Sequence, residues 1–359
     1  MKHVILTACL GLLFLSGCKE KPGQQSTDSK KPEAMGEIGK VVMLADDVTY
    51  TDSKDALTSI FNKSLEGLPG HEAYLNLARC GENDFTGYFK HNYNLVIVYR
   101  DDQKHKIAAH LGVELLKIIQ DRLGKGESVF TAKDVFAAPQ HVTFVVATDQ
   151  EDLNTKIMAY SDKILELAMD AERANTIETL IRGKKETDAF FQNMMKQYGF
   201  AIRTPNNYTV SVRSDEFNGI KRSFGSDNRT GIYLYAEPFK GSQQFTRAYI
   251  INRRNDMLKK HLHGPDHPDS LPVYVQTDTI NVPIAIKKIE LNGYKAIEMR
   301  GWWEMVNNFM GGPFVSYTIY CPKTQQVVTI EGNVFAPSRT KQEHLRQIEL
   351  TATTFEERQ

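Results

Sequence analysis

The chain has 359 residues, with 44 basic and 44 acidic side chains and no formal net charge, a balance that leaves no electrostatic footprint for nucleic acid. Hydrophobic content of 41% and charged content of 25% are those of a globular chain. Beyond the N-terminus no apolar run is long enough to cross a membrane, which takes ~20 residues.

The first residues read as an export signal. Lys2 supplies a positive start, and Val4 to Leu15 is apolar apart from Thr7 and Gly11, too short to span a bilayer. Leu15-Ser16-Gly17-Cys18 follows. A branched apolar residue, two small residues and a cysteine form the pattern that lipoprotein signal peptidase cuts, with a diacylglycerol thioether on Cys18. Residues 1–17 are therefore read as a lipoprotein signal peptide. At ~0.8 kcal/mol per buried CH₂, two or three acyl chains hold such a protein to a membrane essentially permanently. Residues 18–40 are polar at first and carry no apolar period, and are read as a flexible tether. Lys19 is not the aspartate that favours inner-membrane retention, so the expected address is the outer membrane, with the periplasmic and surface leaflets both open.

Strand and helix signals alternate next. Val41–Ala45, Asn94–Tyr99 and Val142–Ala147 are short apolar runs of the kind buried on both faces. Asp52 or Ser53 is expected to cap a helix carrying Leu57, Ile60, Phe61 and Leu65. A second helix is expected from about Gln103 to Leu123, and a long one opens at Asp149 or Asp152, reaches about Ile181 and resumes to Tyr198. After about residue 200, strand signals dominate: Ala201–Arg203, Tyr208–Arg213, Gly231–Ala236, Ala248–Asn252, Val273–Thr277, Ile284–Leu291, Tyr294–Glu298, Phe314–Tyr320 and Val327–Phe335. Several alternate polar with apolar, which implies an antiparallel sheet with one wet face. Asn292-Gly293 is a two-residue hairpin turn, and Ser338 is expected to cap a final helix. The expected class is α+β: a helix-rich α/β N-terminal domain over 41–200, then an antiparallel C-terminal domain over 201–359 with a terminal helix.

Several local strings occur together: Phe136–Val142, Glu172-Arg173, Tyr198–Tyr208, Met310–Ser316, and Val334–Ser338 followed by Lys341, Leu345-Arg346 and Glu349. In this order behind Cys18, the chain resembles a family of Bacteroidota lipoproteins built on a domain of unknown function. The resemblance implies a cell-envelope address and brings no catalytic residue. Gln342 departs from it, standing where a second basic residue after Lys341 is expected.

Candidate sites are few. Cys80 and Cys321 are an even pair in an oxidising compartment, and a disulfide and two separate buried thiols are both open. His261, His263 and His267, with Asp266, have the ligand types of a zinc or copper site, but in a turn-rich string. Asp46 and Asp47 follow the first strand, where ligands sit in open α/β sheets and where paired carboxylates can divide acid and base roles. Trp302 and Trp303 near Gly311 and Gly312 offer an aromatic surface for a sugar or a protein. Adjacent in a strand, the two indoles point to opposite faces. Arg339, Lys341 and Arg346 near the last helix can pair with carboxylates or bind an anion. No cofactor is expected. The leading reading is a lipid-anchored envelope module that binds or scaffolds a protein or glycan through its C-terminal sheet. The alternative is an envelope-polymer hydrolase using Asp46 and Asp47.

Overall fold

The apolar runs of the first half assemble into one sheet of five strands: β1 (Lys40–Leu44), β2 (Asn76–Cys80), β3 (Asn94–Arg100), β4 (Val129–Lys133) and β5 (His141–Ala147). Their order is β2-β1-β3-β5-β4, all parallel except β4. The structure, a computed structural model, describes residues 31–181, 188–225, 227–264 and 269–358. The signal segment, Cys18 and most of the tether fall outside them, as do Asp266 and His267. β1, β3 and β5 read as unbroken apolar runs because helices cover both sheet faces. Helices α1 (Asp47–Phe61) and α4 (Gln150–Ile181) pack on one face through Leu57, Ile60, Leu153, Ile157 and Ile164. The short α2 (Gly87–Lys90) joins β2 to β3. Helix α3 (Lys104–Gly124), broken at Gly112 where φ is +76°, covers the other face through Ile107, Leu111, Leu115 and Ile119. Helix α1 opens before the expected Asp52 or Ser53. Asp46 caps it, accepting from the Thr49 amide at 2.9 Å and the Thr49 hydroxyl at 2.6 Å, so the helix starts as soon as the strand ends. Ahead of β1, Glu33 pairs with Ala138 and Met35 with Asn92.

Helix α5 (Ala189–Tyr198) is capped by Asp188 and stopped by Gly199 at φ +80°. Beyond it, β6 (Phe200–Ala201) pairs with the C-terminal β15 (Glu356–Glu357). The main sheet is an antiparallel half-barrel. Its strands are β7 (Thr209–Arg213), β8 (Asn218–Phe224), β9 (Asn228–Pro238), β10 (Val275–Asp278), β11 (Ala285–Leu291), β12 (Tyr294–Met305), β13 (Gly311–Cys321) and β14 (Gln326–Phe335). They run β10-β12-β13-β14-β9-β8-β7, with β11 beside β12. The β11–β12 turn is Asn292-Gly293, with φ of +49° and +83°, both left-handed as a type I′ hairpin requires.

Two expectations fail here. Ala248–Asn252 is not a strand but part of helix α6 (Arg247–His261), whose start is capped by the Thr246 hydroxyl. Its buried residues Ile250, Arg254, Met257 and Leu258 keep helical spacing, which a five-residue apolar window is too short to distinguish from a strand. Nor is one face of the sheet wet throughout. Helix α6 lies on one face, against Tyr235, Phe314 and Met299. Helix α7 (Gln342–Ala352) lies on the other, inserting Leu345, Ile348 and Ala352 among Ile330, Val315 and Ile319. In α7 only Glu343 is exposed, as expected of a helix enclosed on all sides. Ser338 does not cap it. The Glu72 carboxylate, from the loop ahead of β2, takes that role and accepts from the Lys341 and Gln342 amides at 2.6 and 2.8 Å, where the helix dipole favours an anion.

Candidate functional site

On β12 the odd-numbered side chains Met299, Trp303 and Met305 face α6, and the even-numbered Glu298 and Arg300 face α7, the period of two that any strand imposes. On the α6 side three large rings each sit across from a glycine in register: Tyr233 opposite Gly219, Phe314 opposite Gly301, and Trp303 opposite Gly312. At Gly219 and Gly301 the ring stands where a Cβ would need room, and at Gly312 a strand carbonyl does. A methyl group on Gly219 would come within 2.4 Å of the Tyr233 ring, and one on Gly312 within 1.9 Å of the Val334 carbonyl. A side chain at either glycine would therefore displace the ring or the strand beside it, so these positions pair an aromatic with a glycine across the strands.

Helix α6 covers only part of this face. Where it ends, at His261, a cleft of about 640 Å³ opens over the remainder, a size suited to a small-molecule ligand. Trp303, Met305 and Val275 are buried in its floor, and Tyr233, Phe335 and Met310 are half-buried at its walls. Lys221 and Arg229 stand exposed at the rim with Ser211, Ser223 and Asn333. Arg229 lies over the Phe335 ring at 5.3 Å and reaches the Met310 sulfur at 3.4 Å. Among the described residues neither Arg229 nor Lys221 has a carboxylate partner, and no carboxylate lines the cleft. Burial, reinforced by Glu331, pushes the Tyr233 phenol up to about 12, so it stays a neutral hydroxyl. The Trp303 indole N–H is taken up by the Val334 carbonyl at 3.2 Å, which leaves its ring as the contact surface.

The cleft brings some of the sequence candidates together and divides others. His261 and His263 both line it. His261 stacks on Phe217 at 4.6 Å and meets Glu216 at 3.2 Å. His263 meets the Lys259 carbonyl at 3.0 Å. His267 lies outside the described residues. Among the described residues no group of three or more His, Cys, Asp or Glu side chains could hold a metal ion. Trp302, Trp303, Gly311 and Gly312 do not form one surface. Trp303 and Gly312 belong to the cleft side, while Trp302 and Gly311 line a separate hollow of about 570 Å³ with Phe309, Asp278 and Asn281. Cys80 and Cys321 are free buried thiols in different sheets, and burial raises them to about 11 and about 12. Both oxygens of Asp46 are engaged by Thr49, and Asp47 pairs with Arg79. The carboxylates at this strand end are thus occupied by the chain itself. Tyr233, Arg229, Lys221 and Phe335 escaped sequence reading. The signal available was Gly231-x-Tyr233 within a strand; the cross-strand partner Gly219 could not be read without the register.

A second polar cluster lies where α7 meets the N-terminal half. Arg300 makes two bonds to Glu298, at 2.8 and 3.0 Å, and one to Glu349 at 2.6 Å. Arg346 pairs with Glu349 and with Glu172 of α4, the latter at 3.1 Å. Burial raises Glu349, but Arg300 and Arg346 outweigh it and hold the carboxylate below its usual range. For Glu172 burial prevails over Arg346 and the value is raised. Gln342, the departure from the expected basic residue, donates to the Gly39 and Tyr74 carbonyls at 3.1 and 2.8 Å and accepts from Asn76 at 3.0 Å. Three partners from the N-terminal half suit an amide; a lysine there would leave the Asn76 donor unanswered.

Two family models match the chain. One, described as a domain of unknown function (DUF8532), covers residues 34–180. The other, described as a domain of unknown function (DUF4837), covers residues 187–354. No curated protein matches the chain. Neither family description carries an activity or a ligand.

Proposed function

We propose that the protein is a lipid-anchored envelope protein that binds a partner or ligand through the cleft of its C-terminal sheet. The observation that carries this reading is the cleft itself. Buried aromatic floor, half-buried walls and a polar rim are the usual construction of a recognition site. Gly219 opposite Tyr233 and Gly312 opposite Trp303 put no side chain of their own beside the two rings. For the anchor, the supporting feature is the Leu15-Ser16-Gly17-Cys18 string. An outer-membrane address follows from Lys19 on the same reading.

Two measurements test it. The chain is expected to incorporate a labelled fatty acid in cells and Cys18→Ala to lose that label; an unlabelled parent chain, or equal label on both, would remove the anchor at Cys18. A photo-crosslinking residue at position 223, on the cleft rim, is expected to give a discrete adduct in cells. The same residue at position 117, on the exposed side of α3, is expected to give none. Equal yields from both positions, or none from 223, would sink the cleft as the binding surface.

A further inference from the structure

We infer that the cleft takes an organic anion: an aromatic or aliphatic body ending in a carboxylate or a comparable acidic head. This rests on the cleft being a binding site and names the class of ligand it selects. Apolar area comes from Trp303, Met305 and Val275 in the floor and from Tyr233, Phe335 and Met310 in the walls, which together offer apolar contact to a ring or chain.

The rim decides the head group. Its ionisable members are Lys221, Arg229, His261 and His263, with no carboxylate among the described lining residues. The two histidines are engaged elsewhere, by Glu216 and by the Lys259 carbonyl. Among the described lining residues that leaves Lys221 and Arg229 as the cations open to a ligand. Arg229 is oriented by Phe335 and Met310, which hold the guanidinium without neutralising it. The neighbouring polar groups are donors or can serve as donors: the Tyr233 phenol, held neutral, the Asn333 amide, and the Ser211 and Ser223 hydroxyls.

The buried arginines among the described residues are neutralised by the chain itself. Arg100 takes Asp102, Arg254 takes Glu331, Arg300 takes Glu298 and Glu349, and Arg346 takes Glu349 and Glu172. Against that background, two cations over an aromatic floor make a site in which an anion gains charge-assisted bonds. A cationic ligand there meets repulsion, and a neutral one gains the floor alone.

The chain has two tryptophans, and Trp302 lines the other hollow, so Trp302→Phe leaves Trp303 as a fluorescence reporter in the cleft. The test titrates the full chain carrying this substitution with three probes that share one body: 4-phenylbutanoate, 4-phenylbutan-1-ol and 4-phenylbutylammonium. The carboxylate is expected to perturb Trp303 at a concentration about tenfold or more below the other two, since a bond to a charged group contributes more than a neutral one. The further change Lys221→Gln with Arg229→Gln removes two exposed charges. It is expected to weaken the carboxylate about tenfold while leaving the alcohol unchanged.

If the alcohol or the ammonium binds as tightly as the carboxylate, the assignment of an anion is overturned and the cleft as a binding surface stands. If none of the three perturbs Trp303 while position 223 still crosslinks a partner in cells, the small-anion assignment falls alone. If the cleft neither crosslinks nor responds, both fall.

Discussion

The seam under α7 and the cleft beside α6 are built on opposite faces of one sheet and treat the same residue types in opposite ways. At the seam, Arg300 and Arg346 are 5% and 3% exposed and are surrounded by Glu172, Glu298 and Glu349. In the cleft, Arg229 and Lys221 are exposed and have aromatic and apolar neighbours in place of carboxylates. A buried guanidinium must be matched by its own chain, because an uncompensated charge in the interior costs several kcal/mol. An exposed one is solvated and free to meet a ligand. Position on the strand decides which fate a residue has: Arg300 at an even position of β12 is structural, and three residues on, Trp303 at an odd position is floor.

Removing a cation from each side separates the two most strongly. Arg346→Ala leaves Glu172 and part of Glu349 buried without their partner, and is expected to destabilise the fold by about 3–5 kcal/mol, read as a lower midpoint in urea unfolding. Arg229→Gln is expected to change the same midpoint by less than about 0.5 kcal/mol, the ordinary range of a surface substitution. Similar costs for the two would mean that seam and cleft do not differ in kind.

A smaller effect sharpens the picture on α7. His344 packs on Phe224 with ring centroids 3.9 Å apart. Burial, aided by the positive charges of Arg222 and Arg339, lowers it from 6.5 to about 4. The unfolded chain therefore takes up this proton near pH 6.5 and the folded chain only near pH 4. Between those values the unfolded state binds more protons, so stability falls as the pH is lowered through that window. From pH 7 to pH 5 the loss attributable to His344 is about 1–2 kcal/mol. His344→Gln is expected to flatten the stability curve over that interval by this amount. Parallel curves for the two proteins would refute the depressed histidine.

Much of this was legible in advance. The long apolar runs and helical periods located β1, β3, β5, α3 and most of α4, because burial on both faces writes itself into composition. The Asn292-Gly293 turn was readable because a type I′ hairpin admits few residues. What was not legible depended on register or on distant partners. Helix α6 was hidden because Ala248–Asn252 fits either period. The true anion at the start of α7 is Glu72, far away in sequence. The opposite facing of Trp302 and Trp303 could be read from adjacency, but the pairing of Trp303 with Gly312, and of Tyr233 with Gly219, needs the strand alignment. Lys221 and Arg229 carry no local signal at all, since an exposed cation looks the same in sequence whether or not an aromatic floor lies beside it.

The smallest effects concern Asp46 and Asp47, and they carry the comparison into the N-terminal sheet. Asp46 is 1% exposed and closes the first turn of α1 with both oxygens on Thr49. Asp46→Ala removes that cap and is expected to cost about 1 kcal/mol. Asp47 is one residue further on, with its carboxylate in solvent against Arg79. Asp47→Ala is expected to cost less than about 0.5 kcal/mol, as exposed pairs do. Neither change is expected to alter crosslinking from position 223, because this strand end and the cleft floor belong to different sheets. Equal losses from the two aspartates would contradict the division drawn at the seam and the cleft, since burial and exclusive partners, rather than charge itself, would then no longer decide which carboxylates the fold depends on.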